Sequence, residues 1–161
     1  METLENLFED TLRDVYYAEK AIIKNLPKMA RKTNSNDLKA AFEAHIEQTE
    51  EQVARLEQIF EMIGKTARGK RCPAIDGLAE EASEIMQEAK DETVRDAGIL
   101  AAAQAVEHYE ITRYGTLIAW AKQIGLDGAV DLLKANLAEE KHADDLLSEI
   151  AEASVNQKAA A

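Results

Sequence analysis

A chain of 161 residues, 46% hydrophobic and 31% charged, has the length and balance of one folded domain spanning 1–161, and that composition excludes a disordered chain. A net charge of −12, from 19 basic and 31 acidic residues, repels phosphate backbones and anionic lipid surfaces, so neither nucleic acid nor membrane is an expected partner. One cysteine, Cys72, rules out an intrachain disulfide; no apolar run reaches the roughly 18–20 residues that span a bilayer, and Met1-Glu2-Thr3-Leu4-Glu5 does not read as a signal peptide, so the expected compartment is the cytoplasm.

The first amphipathic stretch covers about 3–32, with Phe8, Leu12, Val15, Ile22, Leu26 and Met29 recurring at helical spacing and Pro27 as a potential kink. Thr33-Asn34-Ser35-Asn36 reads as a capped turn. The second stretch covers about 37–63, with Leu38, Phe42, Ile46, Val53, Leu56, Ile59 and Ile63 on one side and Gly64 as its stop. A basic connection, about 65–76, follows; it contains Gly69, Cys72 and Pro73 and leads to a shorter helix over about 77–90. The next long stretch covers about 93–124 and ends at Gly125, and the last covers about 127–152, with a frayed tail expected over 154–161. Two hairpins with short turns, joined by nearly thirty residues, predict an all-α, ferritin-like four-helix bundle whose long crossover carries an extra short helix.

Polar residues interrupt each apolar stripe. Glu19 falls within the series Leu12, Val15, Ile22, Leu26, and Glu107 within Leu100, Gln104, Ile111, Tyr114. The neighbouring series Ile99, Ala103, Val106 brings Glu110 to the same seam, and Val130, Leu133, Leu137 leads to Glu140 and Asp144. The second stretch offers His45, Gln48, Thr49 and Gln52. Distances from the two turns place these residues at similar depth: Glu19 lies about fifteen residues before its turn, opposite the region of Gln48 to Gln52, and Glu110 about fifteen before Gly125, opposite Glu140. Carboxylates buried together are costly unless protonated, paired or bound to metal, and two cations bridged by them resolve the conflict. Read one position out of register, the same acids fall on the flanks beside Lys or Arg and need no metal.

The runs Asp14-Val-Tyr-Tyr-Ala-Glu19-Lys20, Ala41-Phe-Glu-Ala-His45-Ile-Glu47-Gln-Thr49, Arg71-Cys72-Pro-Ala-Ile-Asp-Gly77-Leu and Val106-Glu107-His108-Tyr109-Glu110-Ile-Thr-Arg-Tyr114-Gly115 resemble the YciF family of bacterial proteins, over about 4–150. The resemblance implies membership of the ferritin-like superfamily, a link to bacterial stress responses, a homodimer and a rubrerythrin-like site for two metal ions, with iron expected and manganese or zinc as alternatives. It implies no particular reaction. Glu19 and Glu107 match the first and third ligands of the general di-iron pattern, and Glu107 with Glu110 resembles the paired glutamates of rubrerythrins. Glu139-Glu-Lys-His142 is a formal Glu-x-x-His match, yet periodicity points Glu140 and Asp144 inward instead. Glu47-Gln-Thr-Glu50 lacks the histidine of that motif, so the second helix contributes a His45 nitrogen, the Gln48 amide oxygen, or nothing. The expected ligand set is Glu19, His45, Gln48, Glu107, Glu110, Glu140 and Asp144.

Cys72, beside Arg68, Lys70 and Arg71, reads either as a thiol activated by cations or, preferably, as a docked loop cysteine. Tyr16, Tyr17, Tyr109 and Tyr114 read as core residues near the carboxylates, and Val106, Tyr109, Thr112 and Trp120 as material for a second interface. Two function classes remain: a metal protein with oxygen, peroxide or iron-handling chemistry, and a non-enzymatic, stress-associated dimer with a weak or vestigial site.

Overall fold

The computed structural model describes residues 1–161 and is helical, with no strand. The long helices are α1 (Leu4–Lys32), α2 (Asn36–Met62), α4 (Glu92–Gln123) and α5 (Asp127–Ile150), and α3 (Pro73–Glu88) lies in the connection between α2 and α4. Local chemistry sets the boundaries. Thr3, Ser35 and Asp91 accept backbone N–H bonds at the starts of α1, α2 and α4. Gly64 and Gly125 adopt φ of +67° and +72°, and each closes its helix with a bond from the following N–H back to the last turn, Lys65 to Phe60 and Leu126 to Ala121.

Two boundaries differ from expectation. Helix α3 begins four residues earlier than the expected Gly77, because Pro73 occupies its first turn, where a missing N–H costs nothing and its fixed φ suits the helix. Helix α1 runs through Pro27 to Lys32, as its expected span requires. The tail is not frayed: α5 passes into a π turn, Ala151–Val155, and a short helix α6, Asn156–Ala159. Val155 is buried in the apolar cluster that also holds Ile150 and Ala151, and that burial holds the tail.

Side-chain contacts give the directions. Tyr16 bonds Glu57 and stacks edge-on to Phe60, so the start of α1 lies beside the end of α2. Gln104 bonds Asp144 and Ser148, so α4 and α5 also run antiparallel. The connection travels along α1: Lys65 pairs with Glu9, Lys70 with Asp10, and Tyr17 with Asp76. At the far end, the buried Asp96 carboxylate accepts the N–H groups of Asn34 and Ser35 and pins α4 to the α1–α2 turn. Helix α3 packs on α4, and it comes close at Gly98, where a Cβ would lie 2.5 Å from Ile85 Cγ2.

The apolar interior falls into two clusters. One surrounds Phe8, Leu12, Leu56, Ile59 and Leu117; the other surrounds Ile22, Leu26, Leu38, Phe42 and Leu147. Buried polar side chains from α1, α2, α4 and α5 lie between them, and this layer is the candidate site.

Candidate metal centre

Each long helix turns one or more polar side chains into the layer. Glu19 comes from α1, His45, Thr49 and Gln52 from α2, Glu107 and Glu110 from α4, and Asn136 and Glu140 from α5; all are buried. The spacings of three, four and seven residues keep each set on one helical face. Ligand atoms of His45, Glu107, Glu110 and Glu140 all lie within 4.8 Å of one another. His45 Nε2 stands 3.3 Å from Glu107 Oε1 and 3.4 Å from Glu140 Oε2, yet hydrogen-bonds to neither. Its other ring nitrogen, Nδ1, is 3.3 Å from Gln48 Oε1. An amide oxygen can only accept, so Nδ1–H donates to Gln48, and Nε2 is the ring nitrogen turned toward the carboxylates.

Glu19 lies beside this group. Tyr114, fully buried, donates its hydroxyl proton to Glu19 Oε1, and Asn136 Nδ2 donates to the Tyr114 oxygen at 3.1 Å. Asn136 also accepts from Arg55, which reaches Glu139 at 2.9 Å. One edge of the layer is therefore tied down by a hydrogen-bonded chain ending in an ion pair near the surface.

Burial pushes the carboxyls of Glu19, Glu107 and Glu110 well above the usual carboxylate range. The Glu140 charge is the next cause for Glu19 and Glu107, and the Glu19 charge for Glu110. Burial, followed by the Glu19 charge, raises the Tyr114 hydroxyl in the same way. Without a cation, the cluster relieves its repulsion by keeping protons.

The residues fit a metal. Glu19 Oε2, His45 Nε2, Glu107 Oε2 and both oxygens of Glu110 and Glu140 are buried with no hydrogen-bond partner. So many orphaned carboxylate oxygens around one ring nitrogen are expensive in a dry interior unless they keep protons or a cation stands among them. One imidazole with several carboxylates is a donor set suited to iron, manganese or zinc.

Not every expected ligand belongs to the group. Gln48 is half-buried and orients His45 through Nδ1, a supporting contact of the kind that fixes a ligand's tautomer. Asp144 does not face the layer: Ala143 takes the inward position of that turn, and Asp144 sits at the flank, where Gln104 and the exposed His108 hold its two oxygens at 3.1 and 3.0 Å. The helical repeat of 3.6 allows either third or fourth spacing after Glu140, and the α4 side chains decide for the third. Glu139 pairs with Arg55 at 2.9 Å, and His142, Glu47 and Glu50 are exposed. Asn136 was not anticipated; its spacing of four before Glu140 was the available signal. Gln52, on the expected stripe but not assigned as a ligand, is fully buried with both amide atoms unpartnered. Cys72 is docked, its Sγ 2.9 Å from the Tyr109 hydroxyl.

Known proteins match the chain over nearly its full length. The family model described as "Domain of unknown function (DUF892)" matches residues 3–160. Protein YciF of Escherichia coli K12 is 44% identical over 160 residues, covering 99% of this chain and 96% of that protein. The crystal structure of the E. coli stress protein YciF superposes with a TM-score of 0.92 at 43% identity, over 97% of this chain and 99% of that one. YcfI from Rhodopseudomonas palustris superposes with a TM-score of 0.90 at 51% identity, over 91% of this chain and 94% of that one.

Proposed function

Since the chain belongs to the DUF892 family, whose members include the E. coli stress protein YciF, we propose that it is a ferritin-like metal-binding protein of the bacterial stress response, holding two iron ions in its carboxylate layer. In this reading α1, α2, α4 and α5 form the four-helix bundle of that superfamily, and the 63–91 connection, with α3, is its long crossover. The observation that carries the proposal is His45 Nε2, buried and without a hydrogen-bond partner among Glu107, Glu110 and Glu140.

His45, Glu107, Glu110 and Glu140 would hold the metal, with Glu19 beside them for a second ion. Iron so held supplies redox chemistry toward oxygen or peroxide, and manganese or zinc would suit the same donors. The chain's own contribution is organisation. Gln48 fixes the imidazole, Tyr114 and Asn136 fix Glu19, and the apolar clusters on either side keep bulk water from the carboxylates. The resemblance adds a homodimer, and the sequence itself gives the cytoplasm as the expected compartment; no helix is long and apolar enough to cross a membrane.

A second reading has its own support. The raised carboxyls of Glu19, Glu107 and Glu110 let the layer persist protonated and metal-free, as a stress-associated structural dimer with a vestigial site would require. Metal analysis after chelation and re-titration with iron and manganese separates the two. Uptake of two ions per chain that survives dialysis, with anomalous scattering at the carboxylate layer, is the expected result. A folded protein that takes up neither metal supports the second reading.

A further inference from the structure

Glu107 lines two cavities that approach it from different sides of the molecule. One lies between α1, α3 and α4 and is walled mainly by aliphatic side chains such as Leu26, Ile75 and Leu78. The other lies between α2 and α5, and four of its ten lining residues carry a nitrogen or oxygen donor: His45, Gln48, Glu107 and His142. These four form a gradient of exposure. His142 is exposed and Gln48 half-buried, while His45 and Glu107 are 5% and 3% exposed. The two innermost are the unsatisfied ones, since His45 Nε2 and Glu107 Oε2 have no hydrogen-bond partner. Gln48 accepts from His45 Nδ1, and its amide oxygen keeps a second lone pair. Ala41, Ala44 and Ala143 make up part of the remaining wall, and their single methyl groups leave the space between the helices unfilled.

We infer that divalent metal ions enter and leave the carboxylate layer through this α2–α5 passage, handed from His142 at its mouth past the Gln48 amide to His45 and Glu107. The inference rests on the metal reading above and adds the route. An ion crosses a low-dielectric wall at high cost unless donors replace the waters it sheds. The α2–α5 passage offers donors from mouth to floor, and the aliphatic cavity on the other side of Glu107 does not. Donor chemistry selects the occupant: imidazole nitrogens with amide and carboxylate oxygens suit divalent ions of the first transition row. Size selects its form. The cavity is about 80 Å³, and a water takes about 30 Å³ of liquid, so an ion that keeps a few waters passes and a chelated one does not. A route changes the barrier equally in both directions. It therefore sets the rates of uptake and release and leaves the equilibrium metal content alone.

Stopped-flow uptake of cobalt(II), followed by its visible absorbance, and its release to excess EDTA test this. Release from the native protein is expected to be independent of EDTA concentration, because the chelator is too large for the passage and ion exit sets the rate. Ala44→Trp, at an exposed position of the wall, is expected to slow uptake and release about tenfold or more by covering the mouth. His142→Phe keeps a ring and removes its nitrogens, and is expected to slow both rates about threefold or more. Final cobalt content is expected to be unchanged in both variants. Ala79→Trp, which fills the half-buried rim of the other cavity, is expected to leave both rates as in the native protein. Circular dichroism checks the fold, and His142→Phe keeps the test decisive if Ala44→Trp is not folded. Native rates in folded Ala44→Trp, release that rises with EDTA concentration, or slowing by Ala79→Trp alone would overturn the route and leave the metal reading intact. So would a lower final cobalt content in Ala44→Trp, since the change would then act on the site itself. Native rates in His142→Phe would remove His142 from the path. A native protein that takes up no cobalt overturns the route and the metal reading together.

Discussion

At Glu107, replacement by glutamine keeps nearly the same volume and removes one negative charge from the layer. If Glu107 is a ligand, Glu107→Gln should weaken metal binding by more than the roughly 10–100-fold typical of a lost supporting residue. The metal-free protein should melt at a higher temperature, because one fewer acid competes for protons in a buried like-charge cluster. A structural ion pair with His45 would give the opposite melt, since the variant would leave an uncompensated partner. Metal analysis and thermal melts with and without chelator distinguish the cases. The same carboxyls set a pH dependence. Glu19, Glu107 and Glu110 have ordinary values of 4.5 and are raised in the folded state, so above about that pH the folded chain holds protons that the unfolded chain has released. Stability from these groups is complete below that pH and is lost as pH climbs toward the raised folded values. Chelated protein should therefore melt at a lower temperature at pH 8 than at pH 5, with a smaller difference in Glu107→Gln; a flat profile would mean that the carboxyls are not held protonated.

Among the helices, α5 and its continuation carry the clearest departure from expectation. Small and polar residues over 154–161 read as a fraying end, yet Val155 is 2% exposed, packed in the cluster that includes Leu26, Ile99 and Ile150. Val155→Ala should cost about 2 kcal/mol of stability, as two buried methyl groups do, whereas a frayed tail predicts no change in the melt. The α5 face shows how little separates a ligand from a flank residue. Glu140 and Asp144 are one turn apart, but only Glu140 is buried with both oxygens unpartnered, while Asp144 is consumed by Gln104 and His108.

For the whole molecule, sedimentation equilibrium at micromolar concentrations is expected to give twice the 17.8 kDa chain mass, and a monomer across that range would refute the dimer. That expectation rests on the family resemblance. Of the residues first offered for a second interface, Val106 and Trp120 pack against the apolar clusters, and Tyr109 meets Cys72, so the chain itself uses them. The long connection is responsible for part of this: it lies along α1, places α3 against α4, and thereby builds an apolar pocket that Glu107 helps to line.

Periodicity, caps and glycine stops determined the helices, because 3.6-residue spacing and positive-φ termini are properties of the local chain. Matching distances from the two turns likewise placed Glu19 opposite Gln48 to Gln52 and Glu110 opposite Glu140, at similar depth in both hairpins, since rise per residue is fixed in every helix. Rotation about each helix axis was legible only to within a residue, which is why Asp144 was expected inward and Asn136 was overlooked. Only the packing of α4 against α5 decided that rotation, through the Gln104 and His108 contacts to Asp144 and the Arg55–Asn136–Tyr114 chain. The meeting of His45 with Glu107 and Glu140 and the pocket under α3 belong to the tertiary structure for the same reason: each depends on which side chains from distant segments meet, and no local pattern records that meeting.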